Sequence, residues 1–264
     1  MSRVLSAVVA LPLLILLVRY GNPIYFSLLV SAAAAAGTWE FLRLAAFPGG
    51  ALSMGVGCAA AAALALAGHL SPPPAATLAV WAVLLLFFSA AVWLPPGVWP
   101  TPRGFIGGLV GIAFVGATFG SLALLRDLPE GWRWVFFLWL AVWGGDTGAY
   151  YGGRAWGKRP LSPRLSPKKT VAGALAGLGA SVAGGIVARA WFLPDRGWLE
   201  AGAAALLLGV VGQLGDLAES VLKRSAGVKD AGALIPGHGG ILDRMDGLTF
   251  AGPVLYATLL WGFP

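Results

Sequence analysis

The chain has 264 residues, of which 58% are hydrophobic and 11% are charged, and its formal net charge is +7. A typical soluble domain carries about 25% charged residues, and no Asp, Glu, Lys or Arg occurs between residues 44 and 102. This composition excludes a soluble globular domain and favours a protein that spans a membrane several times. The positive charge then indicates basic loops and attraction to lipid or nucleotide phosphates, and we expect no nucleic acid partner.

The apolar stretches predict helices rather than a β-barrel. A barrel would alternate polar and apolar residues in segments of about 10, whereas Val4–Val18 is apolar on every face. This first stretch resembles a signal peptide, but no small-x-small cleavage site follows it, so we expect it to be retained. We predict an all-α, single membrane domain with about nine transmembrane helices of about 20 residues each. The predicted spans are 4–18, 24–45, 51–70, 76–94, 104–125, 133–151, 171–193, 199–222 and 248–263.

The distribution of basic residues predicts the orientation. The loop 154–169 carries six Lys or Arg and no acid, and the loop 223–247 carries four. The positive-inside rule places both loops in the cytoplasm, which puts thirteen basic residues inside and five outside. We therefore predict a multi-pass protein of the cell (inner or plasma) membrane whose active site faces the cytoplasm. Residues 1–130 are expected to be mainly scaffold, and 131–264 to be a catalytic half with cytoplasmic loops 152–170 and 223–247.

Two isolated residues outside the charged loops carry little functional signal. Cys58 is the one cysteine and lies in an Ala-rich apolar run, which excludes an intrachain disulfide and a cysteine-based metal site. His69 lies alone before a Pro-rich turn, and we interpret it as a surface residue.

One face of the predicted helix 199–222 is polar. Residues at intervals of three and four share a face, and the polar ones are Gln213, Asp216, Glu219, Ser220 and Lys223. An acid in a spanning helix costs a few kcal/mol unless it is paired or bound to a cation. Glu219 and Lys223 can form an i,i+4 ion pair, and this structural alternative stays open. Asp216 has no basic residue within one helical turn, so we favour a metal ligand there.

The segment after this helix combines basic side chains, glycines and two acids. Glycines around His238 allow backbone N–H groups to approach an anion. Asp243 and Asp246 lie three residues apart at the start of the last helix, and with Asp216 they could hold Mg²⁺ through oxygen ligands. The candidate phosphate-binding residues are Ser220, Lys223, Arg224, Lys229, His238, Gly239, Gly240 and Arg244.

The earlier loop contains a near miss to a P-loop and a second candidate phosphate site. Residues 152–158 have the glycine and lysine spacing, but Arg159 stands where Ser or Thr should bind Mg²⁺ and no strand precedes it, so we reject the P-loop. We expect Ser166–Thr170 to open a helix with Pro167 in its first turn, which would create a phosphate site at the helix N-terminus. Ordinary positive-inside charge is the alternative. The candidate residues are Ser166, Lys168, Lys169 and Thr170.

These motifs resemble those of the phosphatidate cytidylyltransferases. The resemblance is carried by Ser220-x-x-Lys223-Arg224, Lys229-Asp230, Pro236-x-His238-Gly239-Gly240 and Asp243-Arg244-x-Asp246, and also by Asp146-Thr147-x-Ala149-Tyr150, Gly153-Arg154 and Ser166-Pro167-Lys168-Lys169-Thr170. The strong motifs lie between about residues 143 and 247. Two residues depart from the family pattern: Ala172 stands where Glu is usual, and Gly247 where Ser is common.

The resemblance implies an all-helical membrane fold, a homodimer and a role in phospholipid biosynthesis. The implied reaction transfers a cytidylyl group from CTP to phosphatidate and yields CDP-diacylglycerol and pyrophosphate. It also implies Mg²⁺ at Asp216 and Asp246, with K⁺ beside it by analogy. By the same resemblance, Asp146 is a substrate-binding residue. The predicted catalytic residues are therefore Asp216 and Asp246 together with Lys223, Arg224 and Asp243.

Two alternatives to this function stay open. The first is CTP-dependent transfer or phosphorylation on another lipid, either an archaeol-type phosphate or a polyprenol. The second is an ion-coupled transporter. A transporter would place polar groups along several spans near the membrane midplane, whereas this chain concentrates them at one face.

Overall fold

The computed structural model describes residues 2–47, 51–70, 102–163, 165–234 and 239–262. Within these ranges the chain forms eight helices and one short hairpin. In chain order they are α1 (Ser2–Tyr20), α2 (Pro23–Leu44), α3 (Ala51–Leu70), α4 (Pro102–Asp127), α5 (Gly131–Trp156), β1 (Pro160–Ser162), β2 (Ser166–Thr170), α6 (Val171–Trp191), α7 (Trp198–Ser225) and α8 (Leu242–Leu260). The predicted helical fold is confirmed. The predicted span 76–94 lies outside the described residues, so the predicted number of helices stays a prediction.

Several helices have the composition of membrane spans. Four described helices or helix segments are long and apolar enough to cross a membrane, namely Pro23–Leu44, Ile106–Asp127, Val171–Trp191 and Trp198–Ser225. Large apolar side chains such as Leu13, Val56 and Leu199 lie exposed on the outer helix faces. Extended exposed apolar surface is typical of contact with a membrane. The chain is therefore a helical membrane protein.

Small residues bring α5 and α6 into close contact along most of their lengths. A methyl group at Gly148 would overlap Ala180, and one at Gly152 would overlap Ala176. Close approach of backbones through Gly and Ala is the usual way in which helices associate in lipid. The pair forms one wall of the catalytic half.

The helix α8 lies between the two halves of the molecule. It packs against α7 on one side and against α4 on the other, with Phe250 in edge-to-face contact with Phe114. The helix α4 supplies fully buried side chains such as Phe119 and Leu125. The N-terminal helices therefore fix the position of α8, whose first two turns carry Asp243 and Asp246.

The expectation that Ser166–Thr170 opens a helix was wrong. This segment is strand β2, which pairs antiparallel with β1, Pro160 opposite Thr170 and Ser162 opposite Ser166. The residue before a proline is disfavoured in the helical region, so Pro167 favours an extended Ser166. The helix α6 begins one residue later, and Thr170 caps it by accepting a hydrogen bond from the Gly173 N–H at 3.1 Å, a role that threonine fills well.

His69 was expected to lie alone and does not. It ends α3, and its Nδ1 lies 2.8 Å from a carboxylate oxygen of Asp127, the last residue of α4. The pair joins two helix ends on the side of the bundle away from the hairpin.

Candidate active site

A cavity of about 820 Å³ lies between α5, the β1–β2 hairpin, α6, α7 and the first two turns of α8. Its size suits a ligand of several hundred daltons, since small-molecule sites usually measure about 300–1,000 Å³. Acidic, basic and apolar side chains all contribute to its walls: Trp143, Asp146, Ala149, Tyr150, Gly153, Arg154, Leu161, Ser166, Lys168, Lys169, Thr170, Gly173, Ala174, Gln213, Asp216, Leu217, Asp243, Arg244 and Asp246. The two charged loops of the sequence analysis therefore meet at one cavity.

Asp216 has a basic partner that its own helix does not supply. The ammonium of Lys169 on β2 contacts Oδ2 of Asp216, and both side chains are about one-third exposed, at 28% and 32%. The strand places Lys169 opposite α7, although the two residues are far apart in sequence. A positive charge thus lies against Asp216, and the metal-ligand role stays a prediction.

Two further carboxylates lie close enough to Asp216 to repel it. Asp146 on α5 faces Asp216, and Asp246 on α8 faces Asp216, Asp146 and Glu219. Asp246 also accepts a hydrogen bond from the Gly247 N–H at 2.7 Å. The carboxylates of Asp146, Asp216 and Asp246, together with Lys169, are called the cavity cluster below. Carboxylates that repel one another are stabilised by a nearby positive charge.

The donor chemistry of the cavity cluster fits Mg²⁺. In the described parts of the chain, no three His, Cys, Asp or Glu side chains converge into a ready-made metal site. Mg²⁺ is usually held by one or two carboxylates, with water and substrate phosphates filling the other positions. Asp216 and Asp246 can supply those carboxylates.

A second charged group, on the same face of α7, is more buried than the cavity cluster. The Lys223 Nζ lies 2.7 Å from Oδ1 of Asp243 and 3.2 Å from Oε1 of Glu219. The three side chains are only 13%, 9% and 8% exposed, and they are called the inner network below. The predicted ion pair between Glu219 and Lys223 is confirmed. Lys223 does not line the cavity, and its catalytic role stays a prediction.

The Asp243 carboxylate holds the glycine-rich loop. Besides Lys223, it accepts hydrogen bonds from the N–H groups of Gly240 at 2.8 Å and Ala231 at 2.9 Å. Burial alone raises the pKa of Asp243, but the hydrogen bonds from Lys223, Gly240 and Ala231 outweigh burial and lower the pKa below its usual value. Both oxygens therefore have donors within the chain. Metal binding by Asp243 stays a prediction.

The other predicted residues fall into three groups. Ser166, Lys168, Thr170 and Arg244 line the cavity, whereas Ser220, Arg224, Lys229, Gly239 and Gly240 do not. Arg224 donates hydrogen bonds to the carbonyl oxygens of Leu165 and Val228, at 3.3 and 3.0 Å. It therefore ties the hairpin to the end of α7. Gly239 adopts a left-handed φ of 86°, which favours glycine. His238 lies outside the described residues.

Glu40 on α2 is a buried residue near the site that was not predicted from the sequence. Its carboxylate accepts hydrogen bonds from the N–H groups of Ile241 at 3.1 Å and Leu242 at 3.0 Å. The one sequence signal was that Glu40 is the single acid in the predicted span 24–45, and an acid within a span is costly unless it has a partner.

Gln213 belongs to the polar stripe of the predicted helix 199–222, but no role was predicted for it. It lines the cavity and donates a hydrogen bond to the Ala174 carbonyl oxygen at 3.0 Å.

Comparison with known proteins gives matches over the whole chain. The sequence profile described as the cytidylyltransferase family matches residues 1–261. Three similar proteins carry the name phosphatidate cytidylyltransferase. One from Pseudomonas aeruginosa is 34% identical over 266 residues, covering 98% of this chain and 96% of its own length. One from Brucella suis is 46% identical over 159 residues, and one from Synechocystis is 47% identical over 137 residues.

The last two matches are partial. They cover 60% and 52% of this chain, and this chain spans 58% and 46% of those proteins' lengths.

Proposed function

Because the chain belongs to the cytidylyltransferase family, we propose that it transfers a cytidylyl group from CTP to phosphatidate, giving CDP-diacylglycerol and pyrophosphate. The observation that carries the proposal is the cavity, which is lined by four carboxylates and by basic side chains from α5, β2 and α8. Relatives named phosphatidate cytidylyltransferase give the nucleotide and the lipid. The step belongs to phospholipid biosynthesis.

The basic residues of the cavity would bind the phosphates. Lys168 and Lys169 extend from β2, and Arg154 and Arg244 approach from α5 and α8. The guanidinium groups can form paired hydrogen bonds to phosphate oxygens, whereas the lysines act as compact charges. Together they can offset the charges of a nucleoside triphosphate and a lipid phosphate.

The acidic residues of the cavity would hold Mg²⁺. Asp216 and Asp246 are the proposed ligands, with Asp146 and Asp243 nearby. Bound Mg²⁺ would neutralise charge that develops on the triphosphate oxygens. The K⁺ ion that the resemblance implies is proposed with it, and no residue is assigned to it.

In the proposed reaction, an oxygen of the phosphatidate phosphate forms a bond to the α-phosphorus of CTP. The bond from the α-phosphorus to the bridging oxygen breaks, and pyrophosphate leaves with that electron pair. The attacking phosphate is already ionised, so no general base is needed. The chain's contribution is positioning and charge stabilisation.

The membrane setting agrees with a lipid substrate. We propose a bacterial plasma membrane location, since the similar proteins are bacterial, with the hairpin and the loop after α7 on the cytoplasmic side. Phosphatidate would stay in the inner leaflet, and CTP would enter from the cytoplasm. A homodimer is proposed from the resemblance.

The test is a transfer assay with purified protein in nanodiscs. CTP labelled at the α-phosphorus is supplied with phosphatidate, with and without Mg²⁺, and lipid-soluble label is counted. We expect label only when both phosphatidate and Mg²⁺ are present, and a product with the mass of CDP-diacylglycerol. Label that appears only with an archaeol-type phosphate would replace phosphatidate by that lipid. A parallel reaction with CTP labelled at the γ-phosphorus tests the polyprenol alternative, because only γ-phosphate transfer would then label the lipid.

A further inference from the structure

Glu40 is a buried acid on α2, in the N-terminal half of the chain, and it holds the start of α8, in the C-terminal half. Its side chain is only 2% exposed. Its Oε1 and Oε2 accept hydrogen bonds from the N–H groups of Ile241 and Leu242. The first N–H groups of a helix lack partners within the helix, and a carboxylate there is favoured by the helix dipole. Glu40 therefore satisfies the N-terminus of α8 in place of a local cap.

Two glycines are explained by the same carboxylate. A Cβ at Gly240 would lie 2.5 Å from Oε2 of Glu40 and 2.6 Å from Oε1, and a Cβ at Gly232 would also overlap Glu40. Neither glycine is among the described residues with a left-handed φ. Space for the carboxylate, and not backbone conformation, requires glycine at these positions.

Asp243 holds the same turn from the opposite side. It accepts hydrogen bonds from the N–H groups of Gly240 and Ala231, while Glu40 accepts those of the next two residues. Three successive N–H groups, 240 to 242, thus end on carboxylates. The residues that follow within two turns, Arg244 and Asp246, line the cavity.

We propose that Glu40 is a positioning residue for the transfer site. Its carboxylate fixes residues 240–242, so that α8 starts at Leu242 and directs Arg244 and Asp246 into the cavity. The inference rests on the proposed function, because Arg244 and Asp246 act there on phosphates and metal. Glu40 itself does not line the cavity and acts through the backbone of α8.

The test compares Glu40→Gln with a matched control, Glu200→Gln. Glu200 also accepts a backbone hydrogen bond at a helix start, from the Gly197 N–H at 3.0 Å. It precedes Asp216 by sixteen residues of α7, or roughly 24 Å at ~1.5 Å per residue. The glutamine at position 40 keeps the shape but sets an NH₂ group against one backbone N–H. The control makes the same change away from the cavity.

We expect kcat to fall about 10- to 100-fold in Glu40→Gln, since a displacement of ~1 Å at a reacting group can cost about 100-fold. The KM for CTP should change much less, because three of the four proposed phosphate-binding residues, Lys168, Lys169 and Arg154, lie outside α8. Hydrogen exchange at Ile241 and Leu242 should accelerate in Glu40→Gln and stay unchanged in Glu200→Gln. A lower melting temperature with unchanged kcat per folded molecule would overturn the proposal.

Hydrogen exchange also separates this proposal from the proposed function. If the wild type makes no CDP-lipid, the proposed function fails, and exchange at Ile241 and Leu242 still decides whether Glu40 holds the turn. Unchanged exchange overturns the positioning role in either case.

A second pair of variants tests the link to glycine. Gly240→Ala alone should lower kcat, because its methyl group displaces the Glu40 carboxylate. In a Glu40→Ala background the same change should cost little more, since the space is then open. Independent, multiplicative losses of kcat would overturn the claim that Gly240 accommodates Glu40.

Discussion

The inner network and the cavity cluster use the same residue types about one helical turn apart on α7, yet their surroundings differ. In the inner network, Lys223 lies between Glu219 and Asp243, and backbone N–H groups complete the shell of Asp243. In the cavity cluster, three carboxylates share the one lysine that contacts Asp216. Buried charges that are paired and hydrogen-bonded hold a structure together, whereas an excess of carboxylates beside a cavity favours binding of a cation.

The largest loss of transfer activity is expected from substitutions in the cavity cluster. Asp216→Asn and Asp246→Asn should each lower Mg²⁺-dependent transfer by about 1,000-fold, the upper range for removal of one group that stabilises transition-state charge. The melting temperature should stay near that of the wild type, because these carboxylates repel one another. Transfer assays and thermal scans on the same preparation check both. Retained activity in Asp216→Asn would contradict the metal assignment.

Substitution in the inner network should reduce stability, unlike substitution in the cavity cluster. Lys223→Met leaves Glu219 and Asp243 buried without their shared cation, so the free energy of unfolding should fall by about 3 kcal/mol. Denaturant unfolding in mixed micelles measures it. Lys229→Met is the matched control, because Lys229 is exposed. Equal stability of the two variants would show that the inner network is not structural.

An intermediate effect is expected at Lys169. Lys169→Met should reduce stability by less than about 1 kcal/mol, because the pair with Asp216 is partly exposed. Turnover should fall about 10-fold or more, as a phosphate-binding charge is lost. Steady-state kinetics with varied CTP checks the effect. A stability loss as large as that of Lys223→Met would remove the contrast between the two clusters.

The contribution of Asp243 to the stability of the inner network should depend on pH. Because hydrogen bonds lower the pKa of Asp243 in the folded chain, its contribution to stability is fully present above the unfolded pKa of about 3.9. It is lost as the pH falls through the lower folded value. Melting temperatures of wild type and Asp243→Asn, measured from pH 6 downward in steps, should converge below about pH 4. Parallel curves throughout would contradict the assignment.

The smallest effect is expected at the other end of the bundle. His69→Gln removes the contact with Asp127 at 2.8 Å, a partly exposed pair worth less than about 1 kcal/mol. Transfer activity should be unchanged, because the pair lies away from the cavity. Loss of activity in this variant would show that the α3–α4 end influences the site.

Much of the fold was predictable because apolar composition and helix periodicity act within one element. The predicted spans 24–45, 171–193 and 199–222 each match a helix within a few residues. The polar stripe on α7 was also predictable, since residues three and four apart share a face. The hairpin was not, because strand β2 exists through pairing with β1, and local residue preferences do not report that pairing.

The candidate site was predictable as a set of residues but not as a set of pairs. Asp216, Asp246, Lys168 and Lys169 were chosen from residue type and motif, and the cavity collects them. The pairing of Lys169 with Asp216 required β2 to lie beside α7. Glu40 was missed because 201 residues separate it from Ile241, and no spacing rule extends across separate helices.

The sequence by itself determined a helical membrane protein and the charged residues that gather at one end of it. Apolar content and spacing within a helix depend only on neighbours along the chain, which is why they can be read without a structure. Tertiary packing decided which charges neutralise one another. Lys223 is enclosed between Glu219 and Asp243, while Asp216 and Asp246 face a cavity, because α7 contacts α8 at Lys223 and the hairpin at Asp216.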